Sequence, residues 1–151
     1  MAASEGTAKH WLEVTGSAMI EGWGMSETCA IGTNNPVTNK SFTGTIGLPL
    51  PSTDIAIKDD AGNSLPVGEP GEICIKGPQV TPGYYRQPEE NKTAFTSDGF
   101  MRTGDIGIMD DGGYTKIIDR KKDMIIVSGF NVYPNELENV IMSFLRSMIF
   151  V

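Results

Sequence analysis

The chain has 151 residues, 39% of them hydrophobic and 21% charged, enough apolar material for one domain with a real core. A net charge of −7 and a pI near 4.6 argue against non-specific nucleic-acid binding. No apolar run approaches the roughly 20 residues of a membrane-spanning helix, and the N-terminus lacks the basic stretch and apolar core of a secretory signal.

Eighteen glycines and nine prolines predict many turns between short strands. Residues 4–14 read as a short helix capped by Ser4, with Trp11, Leu12 and Val14 on an apolar side and His10 standing alone. Ser17 to Trp23 reads as a strand that runs into Gly22-Trp23-Gly24, where the backbone needs close approach or an unusual φ. Trp23, Ser26 and Glu27 then place an aromatic face, a hydroxyl and a carboxylate at one strand end. Such a set can stack a base, contact a phosphate oxygen and hold Mg²⁺. It can equally be a packed Trp in a Gly-rich loop, with Ser26 or Glu27 capping a turn. Cys29 and Cys74 are far apart and form no metal-spaced set, so they read as reduced thiols of a cytoplasmic protein.

Residues 34–43 are polar and read as a loop, and Gly44 to Ser52 as a strand entry with a rigid, proline-bearing bend. Asp54–Lys58 and Glu72–Lys76 alternate apolar and polar residues, the pattern of a small antiparallel sheet or barrel, and read as scaffold. A short helix is expected near Pro88 to Phe95, with Pro88 in its first turn. Gly99–Arg102 is a strand entering Thr103-Gly104-Asp105, and Ile106–Met109 with Tyr114–Ile118 form a hairpin about residues 110–113. A carboxylate at Asp105 can accept both hydroxyls of a ribose, or can cap a turn after Gly104. Five consecutive charges follow at Asp119–Asp123, then an apolar strand-like run to Val127 and the Ser128-Gly129 pair, where glycine permits φ > 0. The clustered cations Arg120, Lys121 and Lys122 suit either phosphate binding or a solvated turn. Pro134 to Phe144 has helical spacing of Leu137, Val140, Ile141 and Phe144, continued by Leu145, and reads as core packing.

The strings GWGMSET, GTIGLPLPS, GEICIKGPQV, GYY, RTGDIG and DRKKDMIIVSGFNVYPNELE occur in this order from about Trp11 to Met142. In them the chain resembles the adenylate-forming (acyl-CoA synthetase) superfamily, closest to the bacterial long-chain fatty-acid–CoA ligases. The fold this implies is mainly β with α+β, an antiparallel β-barrel-like subdomain. It comprises residues 1–118 as the end of an adenylating domain, a hinge at 119–123, and residues 124–151 as the first strand and helix of a small C-terminal domain. The implied activity is ATP-dependent activation of a fatty acid to an acyl-adenylate, then transfer to CoA as co-substrate.

The resemblance assigns nucleotide contacts to Trp23, Gly24, Ser26, Asp105, Arg120 and Gly129, Mg²⁺ to Glu27, and the pivot to Lys122. No catalytic nucleophile or base is assigned within the chain. Trp23 replaces the family's usual Tyr, which keeps stacking and loses a phenolic hydrogen bond, and Ile126 stands where many relatives have Lys. The family's phosphate loop and its adenylating lysine are not among these 151 residues, and the tail 144–151 departs from its pattern. The expectation is therefore an internal fragment, inactive alone, of a cytoplasmic enzyme able to associate peripherally with the inner face of a membrane. Its partners are fatty acid, ATP and CoA, with no nucleic acid and no specific protein. The alternatives are a non-catalytic β-rich remnant that binds a nucleotide or a partner, and another adenylating enzyme acting on an aryl, short-chain or amino acid.

Overall fold

A computed structural model describes residues 4–127, 130–135, 137, 138, 140 and 141. Helix α1 (Glu5–Thr15) starts at Ser4, whose Oγ accepts the Thr7 N–H, and stops at Gly16 with φ of 70°. This is an ordinary serine cap and left-handed glycine stop. Its apolar side is not covered as expected: Trp11, Leu12 and Val14 are exposed, and Ala8 is its one buried residue.

The strands that follow are short because Gly and Pro interrupt them. Strands β1 (Gly22–Trp23), β2 (Thr33–Asn34) and β3 (Leu48–Pro49) form a three-stranded antiparallel sheet. Only the last two residues of the expected 17–23 strand pair. Strands β4 (Asp54–Lys58), β5 (Gly71–Lys76), β6 (Met101–Met109) and β7 (Thr115–Arg120) form the main antiparallel sheet, in sequence order. Helix α2 (Pro88–Ala94) carries its proline in the first turn, where a missing N–H costs nothing. The Ile46 N–H donates to the Thr115 carbonyl at 2.7 Å, tying the small sheet to the β7 edge of the main one.

The protein is thus mainly β with a few helices, and its sheets are open rather than closed into a barrel. The strands expected on either side of Thr103-Gly104-Asp105 are one, β6, whose pairing with β5 is interrupted at residues 103–105, where Gly104 is left-handed at φ 74°. The core is a cluster of Ile46, Ile57 and Ile73, against which Trp23, Ile55, Leu65, Met109 and Ile117 pack. Fully burying an isoleucine contributes about 1.5–3 kcal/mol, so this cluster holds the two sheets together.

Strand β5 is buried on both faces from Glu72 to Ile75. An alternating sequence normally marks one wet face; here the polar residues are covered too. At the next strand, the Lys58 side chain is 1% exposed, and its ammonium pairs with Asp98 at 2.8 Å and lies 4.8 Å from the Phe100 ring centre. A buried ammonium is tolerated because a carboxylate, a carbonyl, a hydroxyl and a ring surround it.

After β7, strands β8 (Ile125–Val127) and β9 (Phe130–Val132) pair as a hairpin. Strand β9 was not expected. Residues 134, 135, 137, 138, 140 and 141 are helical, as the spacing implies, yet Leu137, Val140 and Ile141 are exposed rather than packed in a core. The positive φ expected at Gly129, the remainder of that helix through Phe144 and Leu145, and the tail 144–151 lie outside the described residues.

Candidate functional site

The end of β1, the middle of β6 and the end of β7 meet at one point. Register pairs Asp105 on β6 with Arg120 on β7. The Asp105 carboxylate is only 8% exposed. Its Oδ1 lies 3.2 Å from Arg120 Nε, and its Oδ2 accepts the Trp23 indole N–H at 2.9 Å. Three residues far apart in sequence therefore form one cluster, with Asp105 held from both sides before any ligand arrives. The Asp105 N–H donates to Thr103 Oγ1 at 3.1 Å, which fixes the turn of the backbone at Gly104. Arg120 is 62% exposed, so its guanidinium faces solvent beyond the carboxylate.

Trp23 is half-buried, packed on the isoleucine core. The packed reading of this residue holds, and its indole N–H in addition serves Asp105. Close approach at Gly24 is real, since a Cβ there would stand 2.1 Å from the Ala30 carbonyl oxygen. The chain then enters a single 3₁₀ turn, Ser26–Thr28, stitched by reciprocal bonds between Met25 and Thr28. Ser26 is exposed and Glu27 half-buried. Glu27 Oε1 accepts the Tyr84 hydroxyl at 2.9 Å, and its carbonyl accepts the Thr81 N–H at 2.7 Å. Burial first, then the bond to Glu27, push the Tyr84 phenol up from its ordinary value.

An open groove of about 420 Å³ is lined by Thr103, Gly104, Arg120, Lys121 and Lys122. Its three cations are not equivalent. Arg120 is paired with Asp105. Lys121 pairs with Asp60 at 2.7 Å and with Glu72 at 3.0 Å. Burial pulls the Lys121 ammonium down, and the bonds to Asp60 and Glu72 outweigh it, so it is held above its ordinary value. Lys122 is exposed and makes no ion pair among the described residues. The cluster of three phosphate-binding cations allowed by the sequence reduces to one uncommitted lysine beside an arginine and a lysine that already have carboxylate partners. The proposed pivot and the paired anchor before it are thus adjacent residues.

Sequence reasoning missed Glu72, Tyr84 and Asp119. By sequence Glu72 reads as part of a scaffold strand, Tyr84 enters only through the GYY string, and Asp119 reads as one charge in a run. Asp119 is 3% exposed; its Oδ2 accepts the Asn135 N–H at 3.0 Å and its Oδ1 the Asn135 Nδ2 at 2.9 Å. It thereby ties the end of β7 to the first turn of the helical segment beyond the 119–123 stretch. The signal available in sequence was Asp119 on the face of β7 that carries Ile117, where an unpaired acid would be costly; alternation puts Glu72 on the wet face and offers none.

Residues 1–85 match the AMP-binding enzyme family model. With more than half of the chain matched, this protein belongs to the AMP-binding enzyme family. Among its relatives is the long-chain-fatty-acid–CoA ligase of Yersinia pestis, 47% identical over 141 residues, which cover 93% of this chain and 25% of that protein. Among solved structures, ATP-bound MatB from Rhodopseudomonas palustris matches with a TM-score of 0.83 at 43% identity, over 89% of this chain and 27% of that one. O-succinylbenzoate coenzyme A synthetase (MenE) from Bacillus subtilis, in complex with ATP and magnesium ion, matches with a TM-score of 0.83 at 33% identity, over 95% and 30%. The chain spans about a quarter of the length of the curated relatives it matches.

Proposed function

We propose that this chain is the nucleotide-clamping and hinge portion of a long-chain fatty-acid–CoA ligase. The observation that carries the reading is the convergence of Trp23, Asp105 and Arg120 at one point, in a chain 47% identical to a ligase of that name. In the reaction, a fatty-acid carboxylate attacks the α-phosphorus of ATP and pyrophosphate leaves. The CoA thiol then attacks the acyl carbonyl and AMP leaves. This chain's part is binding and positioning, which can supply most of the catalysis in such chemistry.

Asp105 accepts the ribose hydroxyls, using the lone pairs that Trp23 and Arg120 leave free. Arg120 neutralises the nucleotide's negative side, and Trp23 stacks the adenine. Gly24 lets the backbone approach the nucleotide, and Ser26, exposed in its 3₁₀ turn, contacts the α-phosphate. Glu27 is the residue that would hold Mg²⁺. Its Oε1 takes the Tyr84 hydroxyl while Oε2 has no hydrogen-bond partner among the described residues, and no group of three or more His, Cys, Asp or Glu is assembled there as a cage. One carboxylate with substrate phosphates completing the shell is the usual Mg²⁺ arrangement, and the ion supplies charge neutralisation at the phosphates. Gly129 is assigned to the nucleotide side on its sequence string alone.

The division we propose is residues 1–118 as adenylating domain, 119–123 as hinge and 124–151 as the start of the small domain, with Lys122 as pivot. Lys122 suits that role because it is exposed and makes no ion pair among the described residues, while its neighbour Lys121 is fixed. The whole enzyme would work in the cytoplasm on fatty acid, ATP and CoA, with peripheral contact to a membrane that supplies its acid; no described helix is long and apolar enough to cross one. A second reading, another acid within the same family, is favoured by the 43% identity to MatB.

The test is AMP titration of the 151-residue chain, followed by tryptophan fluorescence and calorimetry, beside Asp105→Asn. Saturable binding that the substitution weakens supports the reading. Saturable binding that Asp105→Asn leaves unchanged, or no binding, overturns the clamp. An acyl-CoA assay of the full enzyme carrying this sequence, across acids of different length, decides the acid.

A further inference from the structure

We propose that Glu72 is a positioning residue that sets the geometry of the Trp23–Asp105–Arg120 cluster without touching any of its three members. This rests on the nucleotide reading above for its purpose, though not for its structural content.

Glu72 is 5% exposed at the start of β5. Its two carboxylate oxygens reach both strands of the cluster. Oε1 accepts the Gly104 N–H at 3.2 Å, the residue immediately before Asp105. Oε2 accepts Lys121 Nζ at 3.0 Å, the residue immediately after Arg120. The same Oε2 takes Arg102 Nη1 at 2.8 Å, and Arg102 passes on to the Asp60 carbonyl at 3.1 Å. Lys121 is held further by Asp60 Oδ1 at 2.7 Å and by its own N–H on the Gly104 carbonyl at 2.8 Å.

The strands need such an anchor at this point. The β5–β6 register shifts between Glu72 and Cys74, and the β6–β7 register shifts between Ile106 and Gly107. Gly104 lies within the first of these irregularities, where residues 103–105 have no register partner on β5, and it sits at φ 74°. Without Glu72, the segment carrying Asp105 and the end of β7 carrying Arg120 lose their common reference. A buried carboxylate facing two cations and a backbone donor is satisfied, so it is stable where it is and stiff in the directions that matter. Charge-assisted bonds of this kind hold geometry more tightly than neutral ones.

The Trp23 indole proton gives a direct readout, because it points at Asp105. Its hydrogen exchange is measured by NMR in the 151-residue chain, in Glu72→Gln, and in Lys121→Met, with Trp11→Phe assigning the second indole. Glu72→Gln should speed exchange of the Trp23 indole by about tenfold or more while amides of the 110–114 turn stay as in wild type. Lys121→Met, which keeps the Glu72–Arg102 pair and therefore folds, should move the same signal in the same direction by less. Wild-type chain in urea, brought to the global stability of Glu72→Gln, is the control, and there all protected sites should speed up together. Unchanged indole exchange in both variants, or a Glu72→Gln pattern identical to the urea pattern, overturns the proposal. AMP titration adds the functional arm, with about tenfold weaker binding expected for Glu72→Gln. If wild type binds no AMP, the nucleotide reading falls, and the indole result still decides whether Glu72 positions the cluster.

Discussion

Asp105, proposed above as a ribose ligand, is also held by Trp23 and Arg120 without any ligand, which gives it a structural role that can be measured. Replace it with alanine in the absence of nucleotide. The Trp23 indole N–H, half-buried, loses its acceptor, and an unsatisfied donor costs about 1–3 kcal/mol. The pair with Arg120 adds little, about 0–1 kcal/mol, because that guanidinium is 62% exposed and screened. The sum is about 1–4 kcal/mol, which at an m-value of ~2 kcal/mol/M moves the urea midpoint down by roughly 0.5–2 M. Asp105→Asn retains an oxygen for the indole and should cost only about 0.5–1 kcal/mol. The assay is urea unfolding followed by fluorescence, closed into a cycle with Trp23→Phe. A coupling of about 1–2 kcal/mol is expected between the two positions. A midpoint for Asp105→Ala within about 0.2 M of wild type, or a coupling near zero, would refute the claim that the carboxylate is held in place before ligand arrives.

The remaining expectations concern the rest of the chain. Burial pushes the Cys74 thiol up to about 12, so it stays protonated at pH 8, whereas Cys29 is exposed; an aromatic disulfide reagent should titrate one thiol per native chain, and two before unfolding would contradict the buried placement. The Asp98 carboxyl is lowered to about 2, by its bond to Lys58 first and by Thr96 next. A depressed carboxylate contributes stability above its unfolded value near 3.8 that is lost as pH falls toward 2, so the gap between wild type and Asp98→Asn should be open at pH 5 and closed at pH 2. Should the gap stay constant over that range, the Lys58 pair is not its source. Asp119→Ala removes the bonds to Asn135, and trypsin should then cut at Arg120 to Lys122 several-fold faster while the midpoint of the main sheet moves by no more than about 0.5 kcal/mol. Unchanged cleavage would show that the Asp119–Asn135 bonds do not restrain residues 120–122.

What the sequence by itself determined was local. The strand boundaries at 54–58 and 72–76, the Pro88 helix start, the Ser4 cap and the 110–113 turn all follow from alternation and from side chains that answer nearby backbone groups. The family was legible because six ordered strings carry it. Tertiary structure decided which charges are spent. Lys58 and Glu72 sit at positions that alternation assigns to a wet face, yet other strands and loops cover them, and only their partners from 30 to 49 residues away explain why they are tolerated there. Likewise nothing local distinguishes Lys121 from Lys122. One is fixed by Asp60 and Glu72 and the other makes no ion pair among the described residues, because the fold brings those acids beneath one residue and not beneath the next. Long-range pairing of this kind is set by burial and register, which a single chain's pattern does not encode residue by residue.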